Sequence, residues 1–312
     1  MPLPVIIDCD PGHDDTLALL MLGKSPELNL LGVTVCAGNQ TLEKTTHNAL
    51  RVLTLAGMTT RVAAGASKPL SSKITPVSDI MGESGLDGAV LPEPELPLEA
   101  LSAVELMAGL LRQSGEKVTL IATGPLTNIA TFLTGWPSLH SRIERIVLMG
   151  GGTFGNVTPV AEFNFHTDPV AADIVFRSNI PIVMSGLDVT YQALIYEHEI
   201  EQIRKLGNPV STATADMLAY YLQRIVQRQY SKDGAHLHDP CTVAWLLFPD
   251  LFDLEPAYVA VETARGYCFG ESIIDYNGKL SGKPCNAQVM VNINREKFIA
   301  LIIERLSRYQ GL

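Results

Sequence analysis

The stretch Asp8-Cys9-Asp10-Pro11-Gly12-His13-Asp14-Asp15 joins two segments of opposite character. Before it stands Val5-Ile6-Ile7, a short β-branched strand. After it, Leu17 to Leu22 reads as an apolar helix that Gly23 and Pro26 stop. A strand, an acidic turn and a helix make one βα unit. In an open α/β sheet such a turn lies at the carboxyl edge, where ligands bind.

The alternation continues outward from that unit. Leu30 to Cys36 reads as a second strand, and Thr41 can cap a helix running to Gly57. Val62 to Ala64, Val118 to Ala122, Ile146 to Met149 and Ile182 to Met184 read as further strands. Helices over Ser102 to Gln113, Leu126 to Leu133 and, behind the Asp168-Pro169 cap, up to Arg177 separate them. Beyond Glu197 the pattern predicts one long helical stretch to about Tyr230, then a helix from Pro240 to Leu247. Tyr258 to Ala264, Glu271 to Tyr276 and Gln288 to Asn294 read as late strands, and a last helix ends near Tyr309. Apolar runs without polar alternation, separated by helices, predict an α/β fold: an open, mostly parallel sheet with helices on both faces. The Pro-rich connector from Leu91 to Pro97 is too short to divide the chain, so residues 1–312 are expected to form a single domain.

Composition narrows the partners. Hydrophobic residues make up 46% of the 312, which excludes a disordered chain. Lys and Arg number 23 against 33 Asp and Glu, a net charge of −10, which disfavours nucleic acid and anionic membrane as partners. No apolar run approaches the roughly 20 residues of a membrane span. The first residues carry no basic segment, so no signal peptide is expected. Five scattered cysteines with no CxxC pair indicate neither a disulfide framework nor a thiolate zinc site. A cytoplasmic setting is the expectation.

Polar residues following the predicted strands would meet at one edge of the sheet. They are Asp8, Asp10, Asp14 and Asp15, then Asn39, Thr123, the loop residues Asn156, Glu162 and Asn164, and Asp188; His238-Asp239 opens a late helix. Asp14 and Asp15 suit the positive end of the following helix, but capping needs only one of them. Four carboxylates in eight residues repel one another unless a cation neutralises them, and hard oxygen donors select Ca²⁺ or Mg²⁺ over zinc. A lone Asn after a strand is usually a turn residue. Beside the aspartates, the Asn and Glu residues become candidates for sugar hydroxyls. Gly150-Gly151-Gly152 is not a dinucleotide fingerprint and reads as a place where backbone approaches a ligand closely. His13 suits a structural hydrogen bond as well as catalysis, and His-Asp at a helix start is commonly a cap.

At this point the sequence resembles the nucleoside hydrolase family. The resemblance rests on Asp8 to Asp15, Ala37-Gly-Asn-Gln-Thr41, Gly82-Glu-Ser-Gly-Leu-Asp-Gly88 and Thr123-Gly-Pro-Leu-Thr-Asn128. It continues through Met149-Gly-Gly151, Asn156 to Asn164, Asp168-Pro169 and His238-Asp239. Asn208-Pro-Val-Ser-Thr212 and Leu237-His-Asp-Pro-Cys-Thr242 are most similar to the pyrimidine-preferring bacterial ribonucleoside hydrolases.

The resemblance implies hydrolysis of the N-glycosidic bond of a ribonucleoside, with inversion, by water on one Ca²⁺. It implies that Asp10, Asp15, Asp239 and the Thr123 carbonyl hold the ion, with Asp10 as general base. Asp14, Asn39, Asn156, Glu162 and Asn164 would hold the ribose, with Asp239 also reaching the sugar, and His238 would stand near the leaving base. Met81 takes the place of a histidine common in relatives, and Tyr230 matches an aromatic of the base pocket. A homo-oligomer, tetramer or dimer, is also implied. Two rivals are an aspartate-nucleophile phosphatase, from the Asp8-x-Asp10 spacing, and a non-catalytic nucleoside-binding module. The first needs a downstream lysine that the sequence does not place.

Overall fold

The computed structural model describes residues 1–311. Its eleven strands are β1 (Leu3–Cys9), β2 (Leu28–Val35), β3 (Val62–Ala64), β4 (Val118–Ala122), β5 (Ile143–Met149), β6 (Ile182–Ser185), β7 (Leu194–Tyr196), β8 (Gly234–His236), β9 (Phe252–Val261), β10 (Ser272–Tyr276) and β11 (Ala287–Ile293). Nine form one sheet in the order β10-β9-β11-β6-β5-β4-β1-β2-β3. From β3 to β11 every neighbour is parallel; β9 and β10 continue the sheet antiparallel. Within it the strands run 3-2-1-4-5-6, so the chain reverses direction across the sheet between β1 and β4, and a crevice opens there.

The sheet is apolar on both faces, as the sequence predicts. Along β1, Val5, Ile7 and Cys9 enter one buried cluster with Leu17, Val33 and Val35, whereas Ile6 enters the other with Leu120, Ile146 and Met184. Alternate residues of one strand thus feed two cores, which is why no polar alternation is visible in it. Asp8 breaks the run. Its Oδ1 accepts hydrogen bonds from Thr34 Oγ1 at 2.6 Å and Asn128 Nδ2 at 2.8 Å, so it is braced by the neighbouring strand and the helix after β4.

Three expectations change. The first helix begins at His13, four residues earlier than the apolar run suggests, so Asp14 and Asp15 lie in its first turn. The stretch beyond Glu197 is two helices, Glu197–Arg204 and Pro209–Gln227. Asn208 caps the second and Pro209 fills its first position, a start signal inside the apparently continuous pattern. Flanking these helices in the chain are the two strands of the β7–β8 ribbon, each of three residues and too short for periodicity to reveal. Among the described residues no helix is long and apolar enough to cross a membrane.

Asn208 also ties two distant elements together. It is buried, its Oδ1 accepts from Ser211 N at 2.8 Å, and its Nδ2 donates to Leu306 O at 3.1 Å in the last helix, Arg295–Ser307. Asn208→Ala removes the cap and leaves a buried carbonyl without its donor. Urea unfolding should register a loss of about 2 kcal/mol at unchanged slope. Asn208→Asp, which keeps the cap and loses only the donor, should fall between the variant and the parent.

Candidate active site

The turn after β1 carries the acidic residues to the crevice between β1 and β4. Asp8, Asp10, Asp14, Asp15 and Asp239 are all buried. No ion pair among the described residues includes any of them, so no Lys, Arg or His side chain offsets their charge. Burial pushes the carboxyls of Asp8 and Asp14 up to about 7 and those of Asp10 and Asp239 well above the ordinary range, with the neighbouring carboxylates adding to the shift.

Backbone and amide donors hold the cluster in place. Asp15 Oδ1 accepts from Thr123 Oγ1 at 2.8 Å and from Asp10 N at 3.2 Å; its Oδ2 accepts from Gly12 N and Asn39 Nδ2, each at 3.1 Å. Asp15 therefore closes the helix start and faces the cluster at once, so the capping and cation readings are not exclusive. Asp10 Oδ2 accepts from Asn39 N at 2.6 Å, while its Oδ1 is buried with no protein partner. Gly38 and Gly124 press on that carboxylate from both sides: a methyl at either position would overlap it. A buried carboxylate oxygen without a donor is costly unless something outside the chain satisfies it.

Asp14, Asp15 and Asp239 bring one carboxylate oxygen each within 4.8 Å of one another, an arrangement able to hold a metal ion. Asp10, expected from the sequence among the ligands, stands beside this trio rather than in it. The Thr123 carbonyl accepts from Asn164 Nδ2 at 2.8 Å. Every donor in reach is oxygen, and the unpartnered Asp10 Oδ1 fits the same conclusion: the residues suit a hard cation.

A cavity of about 280 Å³ opens directly onto this cluster. Asp14, Asn39, Asn156, Glu162, Asn164 and Asp239 line it, so the residues expected around a sugar are brought together. Glu162 caps the short helix Phe163–Thr167, accepting from Asn164 N at 2.9 Å and from Phe165 N at 3.1 Å. It also accepts from Gly151 N at 2.9 Å, and burial raises its carboxyl to about 7. The three glycines therefore differ from expectation: Gly150 and Gly151 admit the Phe165 ring, and Gly151 holds Glu162, so they approach protein rather than ligand. Asn156 Oδ1 accepts from Phe163 N at 2.9 Å.

The remaining lining is largely apolar and aromatic. Met81, buried, places its sulfur 3.1 Å from His13 Nδ1, and His13 Nε2 meets the Asp87 carbonyl at 2.8 Å. His13 is stacked against Tyr220 and Tyr221 and burial lowers it to about 4, so its role is structural. Tyr230, 46% exposed, stands at the rim. His238 lines the cavity with its Nδ1 2.8 Å from Thr190 Oγ1; burial, and then His236, lowers it to about 3. Sequence reasoning missed Ile80, Phe163, Tyr191 and Tyr221 as lining residues. Tyr191, three residues beyond Asp188, lay within reach of the strand-end search; the others carry no signal apart from the fold. No lysine lines the cavity, which leaves an aspartyl-phosphate reading without its cation.

The sequence matches the family described as inosine-uridine preferring nucleoside hydrolase over residues 5–300. It is 50% identical over 311 residues to proteins named pyrimidine-specific ribonucleoside hydrolase RihA from Photobacterium profundum and Escherichia coli, covering 99% of this chain and 100% of each relative. The solved structure of a purine-preferring ribonucleoside hydrolase from Gardnerella vaginalis superposes with a TM-score of 0.91 at 34% identity, covering 98% of both chains. The acidic crevice, the cavity and these likenesses agree: the chain is an enzyme that belongs to the inosine-uridine preferring nucleoside hydrolase family.

Proposed function

We propose that this enzyme hydrolyses the N-glycosidic bond of pyrimidine ribonucleosides, uridine and cytidine, to free base and ribose, with inversion at the anomeric carbon. The observation that carries the reading is a cluster of buried, uncompensated carboxylates opening onto a cavity lined by Asn39, Asn156, Glu162 and Asn164. The base preference is supported by the names of the two relatives at 50% identity. The residues 1–312 act as one domain. The unpaired cysteines suit a cytoplasmic setting, and the family likeness supports a homo-oligomer, dimer or tetramer.

Asp15 and Asp239 of the trio, with Asp10 beside them and the Thr123 carbonyl, would hold one Ca²⁺, and Asp14, the third member of the trio, would stand between the ion and the ribose. Bound there, the ion supplies charge that offsets the carboxylates and acidifies water. Asp10 takes the proton of the attacking water as general base; its Oδ1 has no competing protein partner. Asn39, Asn156, Asn164 and Asp14 orient the ribose. Glu162 and Asp14 face the positive charge that develops on the sugar as the base departs. Met81 and Tyr230 pack against the base. His238, kept uncharged by burial, reaches the leaving base as a hydrogen-bond donor.

Ribose release from uridine tests the reading. Chelation by excess EDTA should abolish it and added Ca²⁺ should restore it; full activity in the metal-free protein would sink the cation assignment. Asp10→Ala removes a general base and an ion ligand together, so kcat should fall by about 10⁴ or more, with the fold intact by circular dichroism. Retention of more than about a tenth of kcat would remove Asp10 from that role. Side by side, uridine should exceed inosine in kcat/KM, and the reverse order would overturn the pyrimidine preference.

A further inference from the structure

His236 lies in β8, where it pairs with Leu194 of β7. Its carbonyl accepts from Tyr221 Oη at 3.3 Å. Its ring lies flat on Tyr191, with centroids 4.2 Å apart and planes 14° from parallel. The residue is 7% exposed and lines the cavity, yet its Nδ1 is buried with no hydrogen-bond partner. Backbone and ring plane are thus fixed, and with Nδ1 shut off from the cavity, Nε2 is the ring nitrogen that a ligand atom can meet.

The other nitrogen-bearing side chains on the cavity wall are largely committed. Asn39 donates to Asp10 O and Asp15 Oδ2, and Asn164 donates to Thr123 O and Met149 O. His238 has its Nδ1 on Thr190, and its ring centre lies 5.6 Å from that of His236. The wall also holds Val77, Ile80, Met81, Phe163 and Ile225, which offer a base no donor, and Tyr191 and Tyr230, whose hydroxyls do; the Tyr221 hydroxyl is spent on the His236 carbonyl. A pyrimidine leaving through N1 spreads its negative charge over more than one ring position, so a single imidazole meets only part of that charge in a wall that is mostly apolar.

We propose that His236 is a second leaving-group contact, donating a hydrogen bond to the departing pyrimidine alongside His238. The inference rests on the hydrolase reading above. Its force is greatest for a leaving group that needs help. An aryl oxide of low pKa departs without such a donor, so 4-nitrophenyl β-D-ribofuranoside reports on the sugar and water chemistry alone.

The test is His236→Phe, which keeps a ring against Tyr191 and removes both nitrogens. The kcat/KM ratio of uridine to the aryl riboside should fall at least about fivefold relative to the parent. A smaller change in that ratio, whether both rates fall together or neither does, overturns the assignment and leaves His236 a packing residue. Should His236→Phe not fold, His236→Ala is read by the same ratio. A parent enzyme that cleaves neither substrate overturns the hydrolase reading and the inference with it. A parent active on both, with a steady ratio in the variant, overturns the inference alone.

Discussion

Five buried carboxylates with no basic side chain in reach are the constraint around which this molecule is arranged. Like charges at such separations destabilise a fold unless they are neutralised, and desolvation adds to the cost. The chain answers part of it with backbone amides and with the side chains of Asn39, Thr123 and Asn128. It leaves Asp10 Oδ1 unanswered. The hydrogen bonds fix where Asp8, Asp10 and Asp15 point, so the geometry of the cluster stands ready for a charge that the polypeptide itself does not supply.

Much of this was legible in the sequence because the relevant signals are local. The strand β1, the acidic turn and the helix behind it follow one another without a gap, and Val62–Ala64 and Val118–Ala122 are bounded by their own composition. Many of the polar residues that line the cavity beside the carboxylates follow strand ends, a position that topology favours for ligand sites. What could not be read depends on register between distant segments. The β7–β8 ribbon has too few residues for a period, and the stack of His236 on Tyr191 follows from its pairing. The break at Asn208-Pro209 was written in the sequence as a cap and a first-turn proline, and the apolar pattern on either side hid it. The glycine run misled because its close neighbour is Phe165, from a helix of only five residues.

The two ends of the cavity are built on different principles. At the sheet edge, polar groups are held by backbone donors and by strands packed on both faces, which gives rigid placement. At the other end, the walls come from the helix Pro209–Gln227, the turn Ser78–Met81 and the β7–β8 ribbon, which meet through rings, the Tyr221 hydroxyl on the His236 carbonyl and an exposed ion pair, Arg228 to Asp79 at 3.7 Å. An exposed pair of this kind contributes at most about 1 kcal/mol. Shape at that end is therefore set by side-chain packing, and differences in base preference can arise from a few substitutions there without disturbing the chemistry beside β1.

The distance in sequence between Asp10 and Asp239 has a consequence for biosynthesis. The first carboxylates leave the ribosome more than two hundred residues ahead of their last companion. Ser272, whose Oγ clasps both the N–H and the carbonyl of Gly152, arrives later still. During that interval β2 and β4, the strands that flank β1, are already made, but the turn still lacks Asp239, and loop closure over so long a span is slow. The cluster is therefore complete only once the helix that Asp239 opens has packed on the first helix, so its carboxylates are brought together late, when the strands able to hold them already exist.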